Sequence, residues 1–309
     1  MKAAVYHSLD LLPPNTALAV GTFDGVHRGH QAILTTMAAY AQATQRAPWV
    51  LSFEGKPSAF LKPECDKGAI YDADLQTAYL QTMGASLIRQ PFNATFAARS
   101  AEDFLQALRN AVIFCGEDWR FGKGAVGDIA FLRERGVEVH VVPYVIEAGE
   151  RISSTRIRQA ITDGAMDLTA TMLGRPWEFV GVVQHGRALA GKTFGVPTLN
   201  IPYKGRHGER LTPLAYGVYC GEAEVCQADG TTLVAPALMN FGVAPSIKND
   251  PEPLFEVHLL DVSGDFYGAT VTLRLTHPCL RREQRFASLE ALRAQIHADL
   301  AVCRGLLKP

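Results

Sequence analysis

An α/β chain in two parts, a doubly wound parallel sheet followed by a small β-barrel, is what the sequence predicts, and three observations carry that expectation. Up to about residue 175, short apolar runs alternate with segments of helical periodicity, the pattern of a parallel sheet covered by helices on both faces. Gly174-Arg175-Pro176 then supplies a helix stop and a linker, so the domain boundary is placed there, with 1–174 in one domain and 175–309 in the other. Beyond it the pattern changes to β-rich runs separated by Gly, Pro and Asp turns, which a closed barrel arranges without open edges. A chain of 309 residues is long enough to bury two such cores.

In the first part, the apolar runs Leu18–Gly21, Trp49–Phe53, Ser86–Arg89, Val112–Cys115 and Val137–Val142 are short enough for strands. Gln31–Gln45, Asp74–Met83, Ala101–Asn110, Thr155–Thr162 and Met166–Leu173 space their apolar residues as helices do. In the second part, Glu178–Gln184, Gly217–Val225, Thr232–Asn240, Leu254–Leu260 and Ala269–Leu275 read as strands. Ser288 caps a final helix whose stripe of Leu289, Leu292, Ile296, Leu300 and Cys303 is expected to pack on the core.

Composition narrows the function. Lys plus Arg number 30 against 31 Asp plus Glu, a net charge of −1, so there is no general electrostatic footprint for nucleic acid, and any phosphate binding is local. The six cysteines lack metal-ligand spacing and read as reduced thiols of a cytoplasmic protein. Residues 1–14 lack the basic-then-apolar order of a signal peptide, and no uncharged apolar run approaches the length of a membrane span. Small-molecule partners and a monomer or weak homo-oligomer are expected.

Two segments carry chemistry. The stretch Gly21-Thr22-Phe23-Asp24-Gly25-Val26-His27-Arg28-Gly29-His30 joins the first long strand to a helix. A helix N-terminus there offers unpaired N–H groups and partial positive charge to a phosphate, with two imidazoles three residues apart. Read alone, Asp24-Gly25 is equally a plain turn. Further on, Ser153, Ser154 and Thr155 offer hydroxyl caps, while Arg156 and Arg158 put cations where a helix start usually prefers acids, as an anionic ligand would require. The second segment, 186–200, combines a glycine-rich basic loop (Gly186, Gly191, Lys192, Gly195) with Thr198 and Asn200, oxygen ligands suited to Mg²⁺. Taken alone it is also a glycine-rich hairpin.

The ten residues 21–30 resemble the His-x-Gly-His signature of the nucleotidyltransferase superfamily, which implies a Rossmann-like first domain. Pro197-Thr198-Leu199-Asn200 resembles the Pro-Thr-x-Asn hallmark of the riboflavin kinase module. Gly217-Val218-Tyr219, Met239-Asn240-Phe241-Gly242-Val243-Ala244-Pro245-Ser246, Phe255–Asp261, Gly264–Gly268 and Leu280–Phe286 follow in the family's order. Gly116–Gly122 and Gly127-Asp128, with Ile152–Arg158, resemble the adenylyltransferase half of the prokaryotic bifunctional riboflavin kinase/FAD synthetase family. The resemblance covers essentially the whole chain.

That resemblance implies two reactions, riboflavin to FMN with ATP and Mg²⁺, then FMN to FAD with a second ATP. It implies Glu256 as general base of the first, and His27, His30 and Arg156 as charge-stabilising residues of the second. ATP and its phosphates would meet Gly21, Thr22, Phe23, Asp24, Gly25, Ser153, Ser154 and Thr155 in one half, and Gly186, Gly191, Lys192 and Gly195 in the other. Flavin would meet Asp118, Trp119, Arg120, Phe121 and Asp128, and separately Arg281, Glu283 and Phe286. The sequence departs from the family at Lys56, where His is common, and at Thr22, Trp119, Lys192 and Ser246. Lys56 either substitutes as a cation or marks a weakened first site. The rival readings are therefore a riboflavin kinase with a weak or inactive adenylyltransferase half, and a non-catalytic flavin- or nucleotide-binding regulator.

Overall fold

The computed structural model describes residues 4–185, 196–243 and 252–307. The chain forms two compact units, Met1–Lys67 with Ala73–Ser154, and Gly68–Asp72 with Thr155–Pro309.

The first unit is built on β1 (Val5–Tyr6), β2 (Thr16–Val20), β3 (Ala47–Glu54), β4 (Ser86–Pro91), β5 (Val112–Gly116) and β6 (Val139–Val142), a six-stranded sheet in the order β1-β4-β3-β2-β5-β6. All its pairings are parallel. Strand side chains alternate between faces, so β2 sends Leu18 and Val20 into one core and Ala17 and Ala19 into another. The first core also takes Ile113 and Cys115 of β5 with Phe104 of α5 (Ala101–Ala107) and Leu132 of α6 (Ile129–Glu134). The second takes Val112 and Phe114 with Leu34 and Met37 of α1 (Arg28–Thr44) and Leu80 of α3 (Ala73–Gln81). Short helices α2 (Pro57–Leu61) and α4 (Ala94–Ala97), and the hairpin β7 (Ile146–Glu147) with β8 (Glu150–Arg151), complete the unit.

The expected helix 101–110 stops at Ala107, because Arg109 and Asn110 take left-handed backbone (φ 47° and 61°), and one such residue already ends an α-helix. β1 and the hairpin are two-residue strands too short to show a period.

The longer segment of the second unit opens within α7 (Ser154–Asp163), at Thr155, and continues through α8 (Met166–Leu173), which Gly174 closes in the left-handed conformation. β9 (Trp177–Val182), β10 (Leu199–Pro202), β11 (Gly217–Cys226), β12 (Thr232–Val243), β13 (Pro253–Leu259), β14 (Thr270–Leu275) and β15 (Arg281–Arg282) form a seven-stranded antiparallel sheet in the order β10-β13-β12-β11-β14-β9, with β15 beside β11. The sheet curls, and beyond β9 the Gln184 N–H donates to the Asn200 carbonyl at 2.8 Å, which joins its two ends. Inside lies an aromatic cluster in which Phe241 and Phe255 are 4.7 Å apart and Tyr203 stands 4.9 Å from Phe241.

The final helix α9 (Leu289–Leu306) packs Cys303 and Leu300 over Val218, Cys220 and Leu238 on the outside of the sheet. Its expected apolar stripe is corrected at one end, since Leu289 is 62% exposed. The buried face also carries Asp299, held by Arg281 at 2.7 Å, and that pairing offsets the cost of burying a carboxylate.

Residues 68–72, though early in the chain, are built into this second unit. Ala69 exchanges backbone hydrogen bonds with Arg210 and Thr212, the Trp177 indole N–H donates to the Ile70 carbonyl, and Arg206 clamps Asp72 with contacts of 2.7 and 2.9 Å. Gly68 sits at φ +78°, and a Cβ there would be driven into the Leu211 carbonyl. Gly68→Ala is expected to destabilise the protein by about 3 kcal/mol, through left-handed strain plus the clash, and a denaturant titration of the variant measures it.

Candidate active sites

In the first unit, β3 lies on one side of β2 and β5 on the other, and an open α/β sheet binds ligands at such a switch, beyond the carboxyl ends of its strands. A cleft of about 430 Å³ occupies that edge, lined by the loops following β2, β5 and β6. Gly21, Thr22, Phe23 and His27 reach it from the first loop and His30 from the first turn of α1, Asp118, Trp119 and Arg120 from the second loop, Ser153 from just before α7 and Ser154 from its start.

The first loop is strained and tightly held. Phe23 and Val26 have φ of 51° and 41°, uncommon for side chains with a Cβ, and Gly25 has φ 83°. The Thr22 carbonyl accepts from Ser52 Oγ at 3.1 Å and Gln76 Nε2 at 2.7 Å, and Ser154 Oγ donates to the Asp24 carbonyl at 3.0 Å. That hydroxyl therefore supports the first loop as well as standing at its own helix start. Phe23 is fully buried, its ring edge-on to His30 at 5.2 Å.

His27 is the N-cap of α1, and its Nδ1 accepts from the His30 backbone N–H at 3.3 Å. An accepting Nδ1 carries no proton, so a hydrogen on the uncharged form of this ring would sit at Nε2. The His27 and His30 rings stack at 3.6 Å with 16° between planes. Burial, then His27, hold the His30 imidazole well below its ordinary titration range, and its Nδ1 has no partner among the described residues. Gly29 allows the arrangement, because a Cβ there would stand 3.1 Å from the His27 ring.

Of the remaining expected ligands in this unit, Phe121 turns into the core, where Gly127 leaves room for its ring. Asp128 caps α6 through the Phe131 N–H, and that bond, with Arg120 at 2.7 Å, holds its carboxyl below the usual range. Trp119 stacks on Phe121 at 4.8 Å and keeps a place in the cleft. Arg151 and Tyr144 also line the cleft, with the Arg151 guanidinium 3.2 Å from Asp118 and 5.0 Å from the centre of the Tyr144 ring. They escape the sequence reading, although Ala148-Gly149 between short polar strands is a hairpin signal. Thr155 and Arg156 fall in the second compact unit, in the first turn of α7, and Arg158 there donates to the Gly68 carbonyl.

In the second unit, Thr198 precedes β10 and lines a cleft of about 320 Å³ together with Pro197, Asp265 and Tyr267. Alternation along β13 buries Phe255, Val257 and Leu259 and turns half-buried Glu256 outward. Glu256 stands opposite Asn200 on β10 and Asn240 on β12. Arg281 is engaged by Asp299, Phe286 lies 5.7 Å from the Arg281 guanidinium, and Glu283 rests against Gly242, whose Cβ would stand 3.0 Å from it. Gly186, Gly191, Lys192, Gly195 and Ser246 lie outside the described residues. Two neutral oxygen donors, Thr198 and Asn200, fit Mg²⁺, which fills most of its octahedron with water and phosphate, and no group of three or more His, Cys, Asp or Glu suited to a metal occurs among the described residues.

The family model for FAD synthetase matches residues 11–156, and the family model for riboflavin kinase matches 173–307. The chain belongs to the bifunctional riboflavin kinase/FMN adenylyltransferase family. It is 37% identical over 300 residues to the bifunctional riboflavin kinase/FMN adenylyltransferase of Pseudomonas fluorescens, covering 94% of this chain and 92% of that one. Identity to the Escherichia coli K12 protein of the same description is 34% over 317 residues, covering 98% and 97%. A crystal structure from Streptococcus pneumoniae, of a protein described as a macrolide-efflux protein, covers 98% of this chain and 99% of its own, with TM-score 0.83 and 29% identity. Among the described residues of this family member, no helix is long and apolar enough to cross a membrane.

At the position where the family commonly has His, the Lys56 ammonium lies 2.6 Å from Asp66 with both side chains largely buried. Its charge is paired within the protein, and the residue occupies the N-cap position of α2 without a side-chain capping bond.

Gly29→Ala is expected to displace the His27 ring, weaken the α1 cap by about 1 kcal/mol, and slow FAD formation more than tenfold. Product chromatography with FMN and ATP supplied measures the rate. A second expectation concerns pH. With its folded pKa depressed, His30 stays neutral while the unfolded chain takes up the proton as pH falls through about 6.5. Stability should therefore drop between about pH 7 and pH 5, and His30→Asn should flatten that slope in thermal melts.

Proposed function

We propose that this protein makes FAD in two steps, phosphorylating riboflavin to FMN and transferring the adenylyl group of a second ATP to FMN with release of pyrophosphate. The observation that carries the reading is the pair of family matches in chain order, each spanning a unit with a cleft of its own. The functional division is proposed at Gly174, between residues 1–174 and 175–309, where α8 ends.

In the kinase half, Glu256 takes the proton of the ribityl hydroxyl as its oxygen attacks the γ-phosphorus, and the bond from that phosphorus to the bridging oxygen breaks to release ADP. Thr198 and Asn200 hold Mg²⁺, which when bound neutralises charge on the phosphates. Lys192 and the glycines of its loop, Gly186, Gly191 and Gly195, wrap those phosphates, and Arg281, Glu283 and Phe286 face the flavin. Mounting Glu256 and Asn200 side by side on paired strands gives the fixed geometry on which phosphoryl transfer depends.

In the other half, the FMN phosphate is already a nucleophile and needs no base. Its attack on the α-phosphorus pushes charge onto oxygens that His27, His30, Ser154 and Arg156 stabilise. The amides of Gly21 to Gly25, with Ser153 and Thr155, seat the nucleotide. Asp118, Trp119 and Arg120 contact the isoalloxazine, with Phe121 and Asp128 bracing them. The enzyme is further proposed to be cytoplasmic, a monomer or weak homo-oligomer, and to take these small molecules and no nucleic acid, in keeping with a net charge of −1.

Incubating the purified protein with riboflavin, ATP and Mg²⁺ and resolving flavins over time should give FMN first and FAD after it. FMN accumulating without FAD would refute the second activity, and absence of both would refute the first. Glu256→Gln should lower FMN formation by about 10²- to 10⁴-fold, the usual worth of a general base, while FAD formation from supplied FMN stays unchanged.

A further inference from the structure

We infer that Asn240 is a positioning residue of the kinase half: its amide holds one oxygen of Glu256 so that the other is presented to the hydroxyl being phosphorylated. The inference rests on the reading of Glu256 as base. Asn240 belongs to the motif 239–246, to which that reading gives no task.

The strands dictate the pairing. Asn240 stands directly opposite Glu256 in the β12–β13 register, and directly opposed residues project from the same face about 5 Å apart. Asn240 Nδ2 donates to Glu256 Oε2 at 3.2 Å. An ionised carboxylate only accepts, so the amide must turn its NH₂ toward it. On its other side Asn240 faces Val218 of β11, a buried apolar residue with nothing to compete for that donor. Met239 and Phe241, 0% and 1% exposed, anchor the strand on either side, so the amide is mounted on rigid backbone.

A base needs this kind of restraint. The last torsion of a glutamate is broad and nearly two-fold, so sterics alone do not fix the plane of its carboxylate. A hydrogen bond to one oxygen does. Glu256 Oε1, by contrast, has no partner among the described residues and is the oxygen left to accept a proton. Misplacing a reacting group by about 1 Å can cost about a hundredfold in rate, and this is the scale on which loss of the amide should be felt.

The test measures FMN formation by Asn240→Ala and Asn240→Asp, alone and combined with Glu256→Gln. Asn240→Asp keeps the side-chain volume, which guards against simple misfolding, and FAD formation from supplied FMN reports that the rest of the protein is intact. Both single variants should lose about 10- to 100-fold in kcat, with KM for riboflavin and ATP within about twofold of the parent. In the Glu256→Gln background Asn240→Ala should add no further loss, because a residue that acts only through Glu256 has nothing left to position. Should Asn240→Ala multiply the loss equally in both backgrounds, or act on KM alone, positioning is overturned while the base reading stands. A Glu256→Gln variant as fast as the parent overturns the base reading itself, and this inference with it.

Discussion

A strand can offer a polar side chain to a ligand only by turning it away from its two neighbours, and that two-residue period governs both halves of this molecule. In the parallel sheet it leaves no polar face at all. Leu18 and Val20 go to one core, Ala17 and Ala19 to the other, and the ligand edge is confined to loops beyond the strand ends. In the antiparallel sheet one face encloses the aromatic cluster and the other is free to carry Glu256 between Asn200 and Asn240. One candidate site is therefore made of loops and the other of strand faces.

The cost of each solution differs. A loop site must be held by strain and by hydrogen bonds to backbone, and the β2–α1 loop shows both. Non-glycine residues there adopt left-handed backbone, and the Thr22 carbonyl accepts from Ser52 on β3 and Gln76 on α3. Such outliers persist only where surrounding structure over-determines them. The stacked histidines add a second constraint, since His27 can cap α1 only by folding back over Gly29. A strand-face site needs none of this, because register alone brings its groups abreast.

The same contrast explains what the sequence disclosed. An unbroken apolar run such as β5 and an alternating strand such as β13 are legible, as is the Gly21–His30 junction, because a strand, a turn and a helix start each leave a local mark. Arg151 and Tyr144 reach the first cleft by way of a two-residue hairpin, too short for periodicity to register. The pairing of Glu256 with Asn240 depends on register between strands, which no local pattern encodes. Lys56 shows the limit from the other side. Its position is read either as a substitute cation or as the mark of a weakened site, and its pairing with Asp66, ten residues on, is visible only once the fold brings those residues together.

The segment Gly68–Asp72 carries that limit to the scale of domains. Composition shifts at Gly174, so a boundary read along the chain falls there, whereas compactness assigns residues 68–72 and 155–174 to the second unit. Nothing in Gly-Ala-Ile-Tyr-Asp announces this. Its buried groups do, because Asp72 is only 5% exposed and is held by the Arg206 fork, and the Ile70 carbonyl receives the Trp177 indole. A chain cut at Gly174 would separate Asp72 from Arg206 and the Ala69 backbone from its partners at Arg210 and Thr212. Breaking a buried charge pair by removing one member is among the more expensive changes a fold can suffer. The two units are thus interleaved along the chain rather than successive, and the short segment responsible follows the loop of Lys56 and precedes the helix of Gln76.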